Sequence, residues 1–229
     1  MAQALMQAQI SYEDWISEAP RGMAQMPQIP RLMRFTSCAD MQDAITQGGF
    51  SAVIDASHGF DAATTRQAQA AADALELPYL RITRAKWSAD GLANVRSVAN
   101  VAQANARVRR GSRVFSATGW DSLADYAEFK GEVLMLRQTR RHSRPAPYPF
   151  VKLVFNDPPF TIQGEQALFQ KLRVDMLICR NLGGTASRPK LDAACALGLE
   201  VLLIDPPALA GGALTVAEVE DAMDWLNGL

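Results

Sequence analysis

The chain has 229 residues, of which 48% are hydrophobic and 21% are charged, so it can form one large or two small domains and is not wholly disordered. Its 23 basic and 24 acidic residues give a formal charge of −1, which supplies no reason to bind nucleic acid or an anionic membrane. Apolar runs such as 201–204 are far shorter than the roughly 20 residues that span a bilayer, so we expect a cytoplasmic globular protein without membrane segments.

Short apolar runs alternate with segments of helical spacing along most of the chain. Strands are predicted at 51–55, 78–82, 113–117, 132–137, 150–155, 174–179 and 200–204. Helices are predicted at 62–75, 123–129, 164–172, 190–197 and 216–226, and a helical pattern also leads up to Arg107. Strands that alternate with helices of this size indicate βαβ units, and therefore an α/β fold with mostly parallel sheets.

The polar, glycine-containing segment 107–112 is the best candidate for a domain boundary, because a helical pattern ends there and a new strand begins. We predict an N-terminal lobe at 1–110 and a C-terminal lobe at 111–229. A cleft between two such lobes is a preferred place for a ligand.

The cysteines argue against a disulfide framework and against a metal site. Cys38, Cys179 and Cys195 are an odd number and have no CxxC spacing. Cys179 lies in an apolar run and Cys195 in an alanine-rich segment, where a buried, inert thiol is expected.

The segment from Asp55 to Phe60 follows a predicted strand and precedes a helix, at the sheet edge where α/β proteins bind ligands. Residues 56, 57 and 59 are small enough to let the backbone approach a ligand, and Ser57 or Asp61 can cap the helix. His58 is one of only two histidines and could transfer a proton. Alternatively, Asp55 and His58 only satisfy hydrogen bonds of the turn and the cap.

A second candidate runs from Arg180 to Thr185, again directly after an apolar strand. Gly183-Gly184 can turn sharply and expose backbone N–H groups, and the hydroxyls at 185 and 187 add donors. Such a loop suits phosphate or carboxylate, with Arg180 and Lys190 as counter-charges. It matches neither GxGxxG nor the P-loop, so an ordinary glycine-rich turn is the alternative.

Thr118-Gly119-Trp120 follows the strand at 113–117 and is a third, weaker candidate. It can be a ligand-binding turn, or a tight turn beside a partly buried tryptophan.

The segment 137–144 contains four arginines, one histidine and no acidic residue. It can be a solvated loop, or it can recognise a polyanion in an otherwise neutral protein. Aromatic residues interleave poorly with these arginines, so a small polycarboxylate fits the segment better than RNA does.

Together these motifs resemble the precorrin-6A reductase family of cobalamin biosynthesis. Its members typically show D-A-T-H-P-F, a later T-G-R turn, G-P-F…E, and K-N-S-G-G…K-L near the end. The counterparts here are Asp55-Ala-Ser-His-Gly-Phe60, Thr118-Gly-Trp120, Pro158-Pro-Phe160 with Glu165, and Arg180-Asn-Leu-Gly-Gly184 with Lys190-Leu191. Their order and spacing hold over about residues 35–207, and the part from 160 to 207 is the most specific.

The resemblance implies two Rossmann-like lobes that hold NADPH, or NADH in some relatives, and a tetrapyrrole-derived polycarboxylate in the cleft. The implied reaction is hydride transfer to the corrin precursor, which gives precorrin-6B. It implies that Asp55, Ser57 and His58 line the cleft, with His58 or solvent as the proton donor. Cofactor or substrate contacts are then expected at Thr118, Gly119, Glu165, Arg180, Asn181, Gly183, Gly184 and Lys190. Substrate carboxylates are expected at Arg140, Arg141 and Arg144.

The sequence also departs from the family pattern. Members open with a strand and a G-G-T loop, whereas residues 1–10 resemble the tail of the helix that follows, so a first βα unit of about 25–30 residues is expected to be missing. Gly59, Trp120, Arg180 and Leu182 replace Pro, Arg, Lys and Ser of the pattern.

The leading hypothesis is a reductase of the corrin pathway. One alternative is a degenerate relative that binds a tetrapyrrole or a partner protein without turnover. Another is a different α/β enzyme that acts on a phosphorylated substrate. The oligomeric state is left open.

Overall fold

The structure is a computed structural model that describes residues 1–17, 26–208 and 212–229. The chain forms two compact units: unit 1 comprises Met1–Arg84 with Ala208–Leu229, and unit 2 comprises Ala85–Pro207. Unit 1 is therefore built from both ends of the chain. The predicted boundary between residues 110 and 111 lies inside unit 2.

The elements of the first segment of unit 1 are α1 (Ala2–Gln7), β1 (Trp15–Ile16), β2 (Arg31–Leu32), α2 (Cys38–Gly48), β3 (Val53–Asp55), α3 (Ala62–Ala74) and β4 (Tyr79–Ile82). Unit 2 contains β5 (Val95–Val98), α4 (Val101–Ala106), β6 (Arg113–Ala117), a 3₁₀-helix (Trp120–Tyr126), β7 (Val133–Gln138), β8 (Val151–Phe155), α5 (Ile162–Leu172), β9 (Met176–Arg180), α6 (Pro189–Ala196) and β10 (Glu200–Ile204). The chain then returns to unit 1 with β11 (Leu214–Val216) and α7 (Val219–Asn227).

In unit 1, β3 and β11 flank β4 in a parallel sheet, and β1 pairs with β2 in a second parallel sheet. Helices α2 and α3 pack together through Met41, Ile45, Ala68 and Ala71, which recur at helical spacing. Asp61 is the N-cap residue of α3, because its Oδ1 accepts a hydrogen bond of 3.1 Å from the Thr64 N–H. It is one of the two residues that were predicted to cap this helix.

In unit 2, the strand order of the parallel sheet is β5-β10-β9-β6-β7-β8. Phe115, Met135 and Leu177 lie on one face and pack against Phe169 of α5 and Leu191 of α6. The alternate residues of these strands are buried as well, which explains why the strands read as continuous apolar runs.

The predicted α/β class with mostly parallel sheets is confirmed. The strands predicted in unit 2 correspond to β6 to β10, and the helix predicted at 123–129 is the 3₁₀-helix at 120–126. Strand β5 was not predicted, because only the two valines of Val-Arg-Ser-Val are buried. It pairs with β10, about a hundred residues further along the chain, and so places residues 95–110 in unit 2.

Candidate active site

The order of strands in unit 2 reverses between β6 and β9. From β6 the chain adds β7 and β8 on one side, and it then returns to add β9 and β10 on the other side. In open α/β sheets, ligands bind outside the carboxyl ends of the strands at such a reversal. Ala117 pairs with Cys179, so the loops that follow Ala117 and Arg180 leave the sheet side by side.

Gly119 and Arg180 meet at this point. Gly119 has φ 87° and ψ 164°, a conformation that is essentially restricted to glycine. A Cβ atom at Gly119 would lie 4.0 Å from Nη2 of Arg180, so the guanidinium lies directly beside the bare glycine backbone. Burial lowers the pKa of Arg180, and the charges of Asp121 and Tyr126 oppose this shift. The pair offers a cation and accessible backbone to an anionic ligand.

The Thr118 side chain is buried in a network of hydroxyl groups. Its Oγ1 lies 2.7 Å from Oγ of Ser116, 2.6 Å from Oγ of Ser122 and 3.4 Å from the hydroxyl of Tyr126. Ser122 donates its own proton to the Gly119 carbonyl at 2.8 Å, so Thr118 must donate to Ser122. The side chain of Thr118 therefore holds the Gly119 turn in place.

Asn181 uses its side chain to hold Trp87. Its Oδ1 accepts from the Trp87 N–H at 2.9 Å, and its Nδ2 donates to the carbonyl of Trp87 at 3.0 Å and to Oδ1 of Asp205 at 3.2 Å. The indole N–H of Trp87 in turn donates to the Gly184 carbonyl at 2.8 Å. Asn181 is thus saturated by protein partners and fixes the glycine turn through Trp87.

Gly183 and Gly184 are both left-handed, with φ of 65° and 64°. Gly184 and Thr185 are exposed, so this turn presents backbone and a hydroxyl group to solvent. Neutral donors of this kind, next to the Arg180 cation, fit a phosphate of a dinucleotide cofactor or a carboxylate of a substrate.

Glu165 and Lys190 lie beneath this edge in a buried cluster of charges. Glu165 on α5 accepts two hydrogen bonds from Arg137 on β7, at 2.7 and 3.1 Å. Lys190 donates to the carbonyl of Ser187. Burial lowers the pKa of Lys190; the charge of Arg137 lowers it further, whereas Cys179 and Glu165 oppose the shift. Glu165 thus pairs with Arg137, the one arginine of the predicted loop that is buried.

Burial also determines the protonation state of Cys179, whose thiol lies near Lys190. Removal from water raises the pKa of Cys179 to about 11, so the thiol stays neutral at physiological pH. All three cysteines are free thiols.

Arg140, Arg141 and Arg144 are exposed in the loop after β7, at the carboxyl edge of the same sheet. The guanidinium of Arg144 lies 4.3 Å from the ring centre of Trp120, and that of Arg141 lies 5.8 Å from the ring centre of Phe155. The loop thus adds cations to the edge that carries Gly119 and Arg180.

Asp55 is buried in unit 1 and holds the turn that follows β3. Its Oδ1 accepts from the Ser57 N–H at 2.8 Å and lies 2.5 Å from Nη1 of Arg81, and its Oδ2 accepts from the Tyr79 hydroxyl at 2.8 Å. Arg81 also donates to Oγ and to the carbonyl of Ser57, at 2.7 and 3.1 Å. Burial acts to raise the pKa of Asp55, but the hydrogen bonds from Ser57 and Tyr79 and the charge of Arg81 hold it below its usual range.

His58 lies in the same turn and is exposed. Its Nδ1 accepts from the Phe60 N–H at 3.2 Å, and its carbonyl accepts from the Asp61 N–H at 2.7 Å. The ring can therefore meet a ligand from solvent while the backbone is held by the start of α3.

The sequence model of the family described as precorrin-6x reductase CbiJ/CobK matches residues 3–227. The chain belongs to the precorrin-6x reductase family. It is 32% identical over 213 residues to a precorrin-6A reductase of Mycobacterium tuberculosis (strain CDC 1551 / Oshkosh), covering 91% of this chain and 86% of that protein. A precorrin-6A reductase of Rhodobacter capsulatus is 33% identical over 201 residues, covering 87% and 80%.

A solved structure agrees with these sequence matches. The structure titled CobK precorrin-6A reductase is similar with a TM-score of 0.83 and 32% identity, covering 89% of this chain and 83% of that one. The resemblance found in the motifs is therefore confirmed at the level of the precorrin-6x reductase family.

Arg81, Trp87 and His142 were not predicted as site residues of this precorrin-6x reductase family member. Arg81 had a usable signal, since it is a charged residue inside an apolar run that was itself predicted to be a strand. Trp87 had no such signal, because its partner Asn181 lies on another element. His142 lies in the arginine-rich segment 137–144, but its contacts with Trp120 and Phe155 join different elements and have no counterpart in the local sequence.

Two further findings concern the described residues only. Within the described ranges, no group of three or more histidine, cysteine, aspartate or glutamate side chains is placed to hold a metal ion. None of the helices in the same ranges is long and apolar enough to cross a membrane.

Proposed function

We propose that this chain catalyses the reduction of precorrin-6A to precorrin-6B with NADPH, or with NADH, in cobalamin biosynthesis. One observation of the structure carries the proposal: Gly119 and Arg180 meet at the strand reversal of the unit 2 sheet, where α/β proteins bind ligands, and the loop that follows Arg180 carries the left-handed Gly183–Gly184 turn. The relatives named precorrin-6A reductase support this choice of reaction.

The nicotinamide cofactor supplies the hydride, so the protein has to bind and orient two anionic partners. Arg180 and the glycine backbones bind an anionic group of the cofactor or the substrate. Thr118 and Asn181 position these backbones through Ser122 and Trp87. Glu165 and Lys190, which are buried beneath the carboxyl edge of the unit 2 sheet, help to hold that edge in place.

The test is turnover by the purified protein. We expect loss of NADPH absorbance that depends on precorrin-6A and yields precorrin-6B, and a parallel assay with NADH gives the cofactor preference. Binding of NADPH is measured separately by tryptophan fluorescence. If the protein binds neither NADPH nor NADH at millimolar concentration, the proposal fails. If it binds precorrin-6A but oxidises neither NADPH nor NADH, the non-catalytic alternative is correct.

Arg140, Arg141 and Arg144 are proposed to bind carboxylates of the substrate. Replacing all three by glutamine is expected to raise KM for precorrin-6A about tenfold and to flatten its dependence on salt, because up to three charge contacts are lost. The matched control replaces exposed arginines near the amino ends of the strands: Arg96, Arg110 and Arg173. If both triple variants change KM equally, the loop acts only through net charge.

His58 is proposed as the proton donor. In that role His58→Asn lowers kcat about a hundredfold, the lower end for general acid catalysis, and removes the loss of activity at alkaline pH. The control is His142→Asn, which replaces the other histidine of the chain and is expected to change KM through its contact with Arg144 but to leave kcat and its pH profile unchanged. If kcat and the pH profile of His58→Asn match the wild type, solvent is the donor.

A further inference from the structure

Trp120 and Arg144 form a stacked pair at the carboxyl edge of the unit 2 sheet. The Arg144 guanidinium lies 4.3 Å from the centre of the indole ring. Arg144 itself is exposed, and Trp120 is half-buried. Stacking on an indole face attracts a guanidinium and restricts its rotamers.

His142 fixes both partners of this pair. The centre of its ring lies 5.0 Å from that of Trp120, with the ring planes at 88°, and 5.4 Å from that of Phe155, with the planes at 79°. Its Nδ1 accepts the backbone N–H of Arg144 at 3.2 Å, which leaves Nε2–H to donate to Oε1 of Gln138 at 3.3 Å. The loop after β7 is thus anchored to the indole at the residue that carries the stacked guanidinium.

Two cations therefore adjoin two consecutive residues of one turn. Nη2 of Arg180 lies 4.0 Å from the place that a Cβ atom would occupy at Gly119, and the guanidinium of Arg144 stacks on the indole ring of Trp120. The Asp121 carboxylate is the acidic group that acts on Arg180. The turn is short, and both cations border the strand reversal.

We propose that Trp120 is a positioning residue: it holds the Arg144 guanidinium at the Gly119 turn, so that Arg144 and Arg180 together bind one anionic group. The inference rests on the proposed function and names a determinant of that same site. The group is a carboxylate of the tetrapyrrole or a phosphate of the cofactor, which share the chemistry of charged oxygens. A guanidinium that is ordered before binding loses less side-chain entropy when the anion arrives.

The experiment is a double-mutant cycle with Trp120→Leu and Arg144→Gln. Each single variant is expected to raise KM for one anionic substrate, Trp120→Leu by about two- to fivefold, the factor that a surface cation–π contact supplies, with kcat retained. The double variant is expected to match Arg144→Gln alone, because Trp120 acts only through Arg144. Trp120→Phe keeps an aromatic face and is expected to restore most of the affinity. The KM that rises, for NADPH or for precorrin-6A, identifies the source of the anion.

Two probes separate this inference from the proposed function. Calorimetric binding of inorganic pyrophosphate and of uroporphyrin, a tetrapyrrole polycarboxylate, is measured for the same variants, with Trp225→Leu in unit 1 as the matched control. If the wild type shows no turnover but Trp120→Leu weakens binding of one probe, the proposed function fails and the positioning role stands. If the wild type turns over and the two single effects add, or if Trp120→Phe is no better than Trp120→Leu, the positioning role is wrong.

Discussion

Replacing Glu165 by glutamine is expected to lower the free energy of unfolding of unit 2 by about 3–5 kcal/mol. The side chains of Arg137 and Glu165 are only 6% and 2% exposed, and they form a bidentate ion pair. The guanidinium also lies 4.8 Å from the ring centre of Phe115 and 4.5 Å from that of Phe160. Glutamine has nearly the same shape, so the loss comes from an uncompensated buried cation and not from a cavity.

The measurement is urea denaturation followed by tryptophan fluorescence. Trp15 and Trp225 belong to unit 1, so replacing both by phenylalanine leaves Trp87 and Trp120 as reporters of unit 2. The matched control is Asp192→Asn, which breaks the ion pair between the half-exposed side chains of Arg188 and Asp192, one helical turn apart. This variant is expected to lower the free energy of unfolding by less than about 0.5 kcal/mol.

A second variant tests the cause. Replacing both partners, as Arg137→Met with Glu165→Leu, removes the buried charges together and is expected to recover most of the stability. A double variant that is as unstable as Glu165→Gln would show that the ion pair, and not the unpaired cation, determines the loss. A Glu165→Gln variant no less stable than Asp192→Asn would contradict the prediction.

The central strands of unit 2 could be predicted because a strand that is buried on both faces has a recognisable local sequence pattern. Strands β6, β7, β9 and β10 are covered on both faces and therefore consist of nearly unbroken apolar residues. The edge strands β5 and β11 lack this pattern, since half or more of their residues face solvent. The predicted boundary between residues 110 and 111 differs from the observed division into units for the same reason, because β5 and β11 carry no apolar pattern that would have assigned them to a sheet.

The position of the candidate site could also be predicted, but the hydrogen bonds and ion pairs between its residues could not. A polar loop after an apolar strand is a local signal, and it identified the segments that begin at Thr118 and Arg180. Glu165 and Arg137 are 28 residues apart, and Asn181 and Trp87 are 94 apart, so no spacing in the sequence connects them. Glu165 and Asn181, which were expected to contact a ligand, use their side chains to bind these distant partners.

Replacing Asp55 by asparagine is expected to lower the stability of unit 1 by about 3–5 kcal/mol, because Arg81 would be left as an unpaired buried cation. Arg81 is 1% exposed, and its Nε has no hydrogen-bond partner, so the guanidinium depends on Asp55 and Ser57 for its contacts. Hydrogen exchange of peptides from residues 38–82 measures the loss where it occurs. Asp43→Asn on the exposed side of α2 is the matched control.

The same carboxylate predicts how stability depends on pH. The pKa of Asp55 is lower in the folded state than its unfolded value of about 3.9, so its contribution is complete above that value and is lost as the pH falls through the folded pKa. The difference in free energy of unfolding between wild type and Asp55→Asn is therefore expected to shrink as the pH falls below about 4. Urea titrations followed by circular dichroism at each pH measure this difference. A difference that stays constant into strong acid would mean that Asp55 is not ionised in the folded protein.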